Sequence, residues 1–285
     1  MTATPSLPEP GERFAGYEIR AELGRGAMGA VYRADQDTPR RQVALKVLLP
    51  TQTGDQDGRE RFDREIDALV AADSPHIVAI YDHGEDRGFR YLAMQLVTEG
   101  DLASLLKAGP LPPAEAIELA RQVCLGLADA HAAGVLHRDV KPSNVLVRSR
   151  PSGRHAYLCD FGIASRSASS AGDATDALTE EGEVVGTWAY LPPERCRGGA
   201  ATPQGDVYAA GCLLWTMLTG AAPYGTDSVA AALGHLNGTI PQLPSTGPLA
   251  VGLNEVWRIA LAKDPDDRYA GAAEMATALA ALPAA

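Results

Sequence analysis

His137-Arg138-Asp139-Val140-Lys141-Pro142-Ser143-Asn144 sets a carboxylate, a cation and an amide within one short stretch. A carboxylate at Asp139 can orient a hydroxyl nucleophile and accept its proton. Lys141 brings positive charge for a migrating phosphoryl group, and Asn144 offers an oxygen to a hard cation. Sixteen residues past Asn144, Asp160-Phe161-Gly162 follows a strand-like run and supplies a second carboxylate for the same ion.

Upstream, Gly24-Arg25-Gly26-Ala27-Met28-Gly29-Ala30-Val31 lies between two expected strands. Glycines let a backbone approach phosphates closely and leave N–H groups free to bind them. A dinucleotide fingerprint is the competing reading, but it needs a helix directly after the glycines, and Val31-Tyr32-Arg33-Ala34 continues as strand. Val43-Ala44-Leu45-Lys46 puts a lysine in an otherwise apolar strand, where an ammonium needs anionic company. Glu65 on the next helix is the candidate partner and ATP phosphates the other; a solvent-facing lysine on an edge strand is the bland alternative.

The pattern along the chain gives the architecture around these motifs. Residues 2–13 carry Pro5, Pro8 and Pro10 and are expected to be a disordered leader. Runs at 17–23, 30–34 and 42–48 read as an antiparallel meander, and Phe62, Ile66, Leu69 and Val70 give helical spacing over 59–72. Strands are expected at 78–83 and 90–96, separated by Glu85-Asp86-Arg87-Gly88. Asp101 can cap a short helix through Leu106, and Pro112-Pro113 opens a long one over 114–133 that stops at Gly134. Two short strands follow at 145–148 and 155–159, then a mobile loop over 163–185, rich in Ser, Ala, Gly, Asp and Thr. Helices take the rest, the buried run 207–218, 253–262 and 272–282 being the clearest. The class is α+β: a small antiparallel β-rich lobe with one helix (14–97) and a larger helical lobe (98–285), with a crevice expected between them.

Bulk properties narrow the partners. A net charge of −11 argues against nucleic acid or an anionic membrane surface. The four cysteines, Cys124, Cys159, Cys196 and Cys212, show no metal-ligand spacing. Residues 2–13 lack the apolar core of a signal peptide, and 207–218 is too short to span a bilayer. The expected location is cytoplasmic, either free or as the intracellular part of a longer membrane-anchored protein.

Taken in order, the glycine loop, strand lysine, catalytic-loop and Asp-Phe-Gly motifs resemble the protein-kinase signature set, over about 17–282. Gly186-Thr187-Trp188-Ala189-Tyr190-Leu191-Pro192-Pro193-Glu194 looks like the end of an activation segment, with Pro192 where the family usually has alanine. Asp206 resembles the residue that anchors the catalytic loop, and Arg268 the arginine that pairs with Glu194. The style is similar to the eukaryotic-like (Hanks-type) serine/threonine kinases of actinobacteria. The resemblance implies ATP with magnesium (manganese as a substitute), held by Asn144 and Asp160. Lys46 and Glu65 join Asp139, Lys141 and Asn144 as the catalytic set. Leu23, Gly24, Gly26 and Gly29 belong to the nucleotide loop, and Val31, Ala44 and Leu146 sandwich adenine. Met94 is the gatekeeper, Gln95 to Val97 the hinge, and Asp101 reaches the ribose. Lys141 and Thr187 favour serine and threonine over tyrosine.

Regulation is expected at Arg138, which in kinases of this kind receives a phosphorylated activation-loop residue. Thr175 and Thr179 are the candidates, with Ser167, Ser169 and Ser170 behind them; Glu181 is a partial stand-in for phosphothreonine or an incidental acid. Cys159 is expected to be a small packing residue by the nucleotide pocket, and His137 to pack under Phe161. The expected partners are proteins carrying serine or threonine, with an N-lobe homodimer implied by similar bacterial kinases. A pseudokinase or scaffold, and a small-molecule phosphotransferase sharing the fold, are the competing functions. The first normally loses Lys46, Asp139, Asn144 or Asp160, and the second generally lacks the 187–194 segment.

Overall fold

The computed structural model describes residues 6–49, 56–162, 188–244 and 246–284. The chain divides into two compact units, one built from the chain up to Asp73 with Val78–Thr98, the other from Ser74–Ile77, Glu99–Gly162 and the C-terminal part.

The first unit is an antiparallel sheet with one helix. Its strands are β1 (Arg13–Phe14), β2 (Tyr17–Gly26), β3 (Gly29–Gln36), β4 (Arg41–Leu48), β5 (Ile80–Asp86) and β6 (Phe89–Gln95), in the order β1-β2-β3-β4-β6-β5. Helix α1 spans Gln56–Ala72. Strand alternation sorts the side chains into two sets. Tyr32, Ala34, Val43, Leu45, Val47, Phe89, Tyr91 and Ala93 pack with Phe14, Tyr17 and Ile19 into one buried core. On the other face Leu48 and Leu92 meet Phe62 and Ile66 of α1, flanked by Ile80 and Met94. The β5–β6 turn has Arg87 and Gly88 both at positive φ (51° and 81°), the conformation whose twist suits a two-residue hairpin.

The disordered leader expected over 2–13 is corrected for residues 6–13; residues 2–5 lie outside the described residues. From residue 6 the chain is laid against this sheet: Gly11 N–H donates to Ile19 O, Ile19 N–H donates to Glu12 O, and Arg13 pairs with Glu18. Pro8 is buried and Leu7 packs on the core. Prolines mark a segment that cannot be an interior strand, but they leave it free to lie along an edge.

The second unit is mainly helical. It contains α2 (Leu102–Leu106), α3 (Pro113–Ala132), the hairpin of β7 (Val145–Arg150) and β8 (Gly153–Leu158), then α4 (Pro193–Cys196), α5 (Pro203–Thr219), α6 (Ser228–Asn237), α7 (Pro248–Ala260) and α8 (Ala272–Ala280). Helix α5 is the central post. Thr202 caps it, accepting from Gly205 N–H at 3.1 Å; Pro203 sits at its first turn, and Gly220 ends it in the left-handed region at φ 78°. It is buried on nearly every side, as an all-round apolar helix should be. Trp257 of α7 donates its Nε1–H to Gly211 O at 3.2 Å, and a Cβ at Gly211 would stand 3.0 Å from Ala260 and Leu261, so glycine lets α5 and α7 close up.

Several boundaries differ from expectation, among them β5, which runs Ile80–Asp86 rather than 78–83, and α5, which starts at Pro203 rather than 207; two others have a clear local cause. Helix α7 begins five residues before the expected 253, because Gly247-Pro248 supplies an N-cap and an N1 proline. Cys159 falls outside β8, since its N–H leaves the ladder for Asn144 O at 3.0 Å.

Candidate active site

The catalytic-loop residues stand on a buried carboxylate. Asp206, in the first turn of α5, is 4% exposed. It accepts three hydrogen bonds at 2.8 Å: His131 Nε2 and His137 N–H on Oδ2, and Arg138 N–H on Oδ1. A buried carboxylate is tolerable only with such satisfaction, and the helix N-terminus adds favourable potential. The bond to Arg138 helps hold that residue at φ 68°, a left-handed conformation strained for a side chain of this size. His131, at the end of α3, was not singled out from sequence; it lies 75 positions from Asp206 and carries no local motif.

His137 ties this loop to the Asp-Phe-Gly turn. Its Nε2 donates to Cys159 O at 3.1 Å, its Nδ1 accepts Asp139 N–H at 3.3 Å, and its own carbonyl accepts Gly162 N–H at 2.9 Å. That pattern requires a neutral ring protonated on Nε2, and complete burial pushes its pKa below the ordinary histidine value. Its ring lies 4.5 Å from that of Phe161, so the expected packing role holds.

On this support the reactive groups converge. Asp139 Oδ2 lies 2.8 Å from Lys141 Nζ and accepts from Asn144 Nδ2 at 2.9 Å. Asn144 gives its second amide proton to Asp139 O at 2.7 Å. With both protons committed inward, Asn144 offers its Oδ1 as a ligand atom. Asp160 is exposed, at φ 56° on the turn that His137 braces. No cluster of three or more His, Cys, Asp or Glu side chains suited to a metal occurs among the described residues. An amide oxygen plus one carboxylate fits magnesium, which keeps several waters and completes its shell with substrate phosphates. Asp101 accepts Ser104 N–H at 2.6 Å as the cap of α2 and bridges to Leu146.

Beside Asp139 a shallow cavity is lined by Val140, Tyr190, Leu191, Pro192, Arg195 and Ala209. Behind it Arg268, its side chain fully buried, forks onto Glu194 at 2.9 and 2.8 Å. Its other donors reach Ala262 O, Gln204 O and Lys263 O, so all five N–H groups are matched.

In the first unit, register places the expected nucleotide residues together. Val31 opposes Lys46, Lys46 opposes Leu92, and Ala44 opposes Met94. Directly opposed residues share a face, and here it is the face on which α1 packs. Glu65 sits on α1 beside buried Ile66 and is half-buried. Gly24 pairs with Val31 and Gly26 with Gly29, while Leu23 is 53% exposed at the register shift of β2 between Glu22 and Gly24. Gly29 has its own structural reason: at φ 143°, a Cβ there would lie 2.0 Å from Val47 O. Gln95 N–H donates to Ala79 O at 2.8 Å, and Val97 follows, half-buried. Thr175, Thr179, Glu181, Thr187 and the serines at 167, 169 and 170 lie outside the described residues.

The protein kinase domain profile matches residues 17–276. This chain belongs to the protein kinase domain family. The kinase domain is 41% identical over 277 residues to serine/threonine-protein kinase PknD of Mycobacterium tuberculosis, covering 96% of this chain and 40% of that protein. It is 40% identical over 270 residues to serine/threonine-protein kinase PknE of Mycobacterium bovis, covering 94% and 46%. The chain thus spans less than half the length of these curated relatives. Among solved structures, the kinase domain of Mycobacterium tuberculosis PknI aligns with a TM-score of 0.72 at 29% identity, covering 96% of this chain and 99% of that one. The expected two-lobed α+β kinase plan and the actinobacterial style are those of these relatives. No helix among the described residues is long and apolar enough to cross a membrane.

Proposed function

We propose that this chain transfers the γ-phosphoryl group of ATP to serine and threonine hydroxyls of proteins. The observation that carries the reading is Asp139 Oδ2 held at once by Lys141 and Asn144, in a loop fixed by Asp206. In the step, the substrate hydroxyl oxygen bonds to the γ-phosphorus while the bond to the β,γ-bridging oxygen breaks and ADP leaves. Asp139 orients the hydroxyl and takes its proton, with the outer carboxylate oxygen available because Oδ2 is engaged. Lys141 swings its charge from Asp139 to the transferring phosphoryl, so the same contact that places it in the free enzyme sets its reach. Magnesium at Asn144 and Asp160 supplies neutralisation of phosphate charge when bound. Lys46, positioned by Glu65, holds the α- and β-phosphates, and the nucleotide loop at Leu23, Gly24, Gly26 and Gly29 covers them. Val31, Ala44 and Leu146 take the adenine under the Met94 gatekeeper. Because the Gln95 amide is committed to Ala79, adenine contacts fall to the Gln95 carbonyl and the Val97 main chain. Asp101 caps α2 with one oxygen and has the other for the ribose.

The cavity that joins Asp139 to Tyr190, Leu191 and Pro192 supports a polypeptide substrate rather than a small molecule, since it sets the end of the 187–194 segment beside the proposed base. Arg138 is proposed to receive phosphate on Thr175 or Thr179, with Glu181 a weaker substitute and Thr187 beside the acceptor. An N-lobe homodimer remains part of this reading by likeness to similar kinases. The test offers labelled ATP with paired peptides differing only in serine, threonine or tyrosine. Label should enter serine and threonine peptides, and Asp139→Asn should lose about a thousandfold in kcat. Label in tyrosine alone, or an unaffected variant, would refute the proposal.

A further inference from the structure

Helix α1 carries Glu65, yet apolar packing alone does not fix how the helix is turned. Phe62 and Ile66 rest on Leu48 and Leu92, and such contacts are non-directional. Direction comes from polar groups on the two strands beyond β4. Arg90 of β6 opposes Leu48 on one side and Glu85 on the other, two positions from Leu92 and therefore on the Lys46 face. Its guanidinium forks onto Asp63 of α1, Nη1 donating to Oδ1 and Nη2 to Oδ2 at 3.0 Å. Its charge lies 5.1 Å over the Phe62 ring. The Arg90 side chain is 9% exposed, and its Nε–H has no hydrogen-bond partner among the described residues, so Asp63 is its principal compensation. His83 of β5 closes the other side, with Nε2 3.1 Å from Asp67 Oδ1 and Nδ1 3.6 Å from Asp63 Oδ1. Asp63 and Asp67 are one helical turn apart on one flank of the apolar stripe, and Glu65, two positions from each, is on the other flank, so a turn of the helix moves all three together.

We propose that Arg90 and His83 are positioning residues: together they latch α1 at two successive turns and so set the angle at which Glu65 meets Lys46. The fork allows one rotation of the helix, because a bidentate guanidinium–carboxylate pair is planar and directional. Breaking it strands a buried guanidinium, which gives α1 reason to turn toward any other acceptor. This inference rests on the reading of Lys46 and Glu65 as the phosphate-holding pair.

The test uses the whole chain, with ATP and a serine peptide varied independently. Arg90→Met, which keeps the apolar stem, and Asp63→Asn should each lower kcat/KM for ATP about tenfold. The peptide KM should stay at the wild-type value, and the double variant should be no worse than either single. Arg90→Lys and His83→Gln, milder changes that keep the fold if Arg90→Met does not, should give smaller losses of the same ATP-specific kind. Placed on Glu65→Gln, the latch variants should add nothing. ATP parameters within about twofold of wild type in every latch variant, with Glu65→Gln impaired, would overturn the latch alone. Loss spread equally over ATP and peptide, tracking a lower melting temperature, would overturn it in favour of a purely structural clamp. An unimpaired Glu65→Gln would overturn the underlying reading and the latch with it.

Discussion

At the scale of single residues, the proposed reaction rests on groups that would never touch substrate. Asp206 gathers His131, His137 and Arg138, and only then does Asp139 stand where Lys141 and Asn144 can share its oxygen. Asp206→Asn keeps the shape but turns one acceptor into a donor facing a main-chain N–H or the His131 ring. We expect kcat to fall about a hundredfold, because small misplacements of reacting groups are that costly. ATP affinity, measured by nucleotide binding, should change far less. Equal losses in both would mean that Asp206 serves the second unit as a whole rather than the loop. The motif residues were legible because phosphoryl chemistry restricts their types and spacing. His131 was not legible, since its role arises only when α3 and α5 pack side by side. Arg90 and Asp63 stayed hidden for a similar reason: charges on an amphipathic helix and at a strand start are ordinary until the fold buries one of them.

At the scale of elements, two glycines of one motif do different work. Gly29 is needed by the sheet, its Cβ position lying 2.0 Å from Val47 O, whereas a Cβ on Gly24 would meet nothing within 4 Å. Gly29→Ala should destabilise by about 3 kcal/mol or more, read as a lowered denaturation midpoint. Gly24→Ala should stay within about 0.5 kcal/mol of wild type in stability and show itself, if anywhere, in the KM for ATP. A stable Gly29→Ala would contradict the packing account. The caps read in sequence served α3, which Pro112-Pro113 and Gly134 bracket, whereas α5 was read only as the buried run 207–218 and its Thr202-Pro203 start and Gly220 stop went unused. The segment before β1 was misread because proline content signals extended chain without saying what that chain lies on. The start of α7 was missed because Pro248 precedes the first strongly periodic residues.

At the scale of the whole molecule, both the fold's acid sensitivity and its chemistry follow from what is buried. His235, fully buried, has Nδ1 2.8 Å from Tyr208 Oη, and burial holds its pKa down at about 4 against an ordinary 6.5. Unfolded chain takes up that proton near 6.5, while folded chain resists it to about 4. Stability is therefore full above the upper value, falls with pH across that window, and loses nothing more from this group below it. Melting temperatures from pH 7 to 4 should fall less steeply for His235→Gln than for wild type, and parallel curves would contradict the assignment. The chemistry was the most legible feature of all, because glycine loop, Lys46, Asp139, Asn144 and Asp160 occur in one order over a chain that the protein kinase domain profile spans at 17–276. Whether Asp139 drives phosphoryl transfer to serine and threonine is decided by phosphosite mapping of the purified chain after incubation with magnesium and ATP. Wild type should carry phosphate on serine or threonine, foremost Thr175 or Thr179, and Asp139→Asn none; phosphate on tyrosine alone, or equal phosphorylation of the variant, would contradict it.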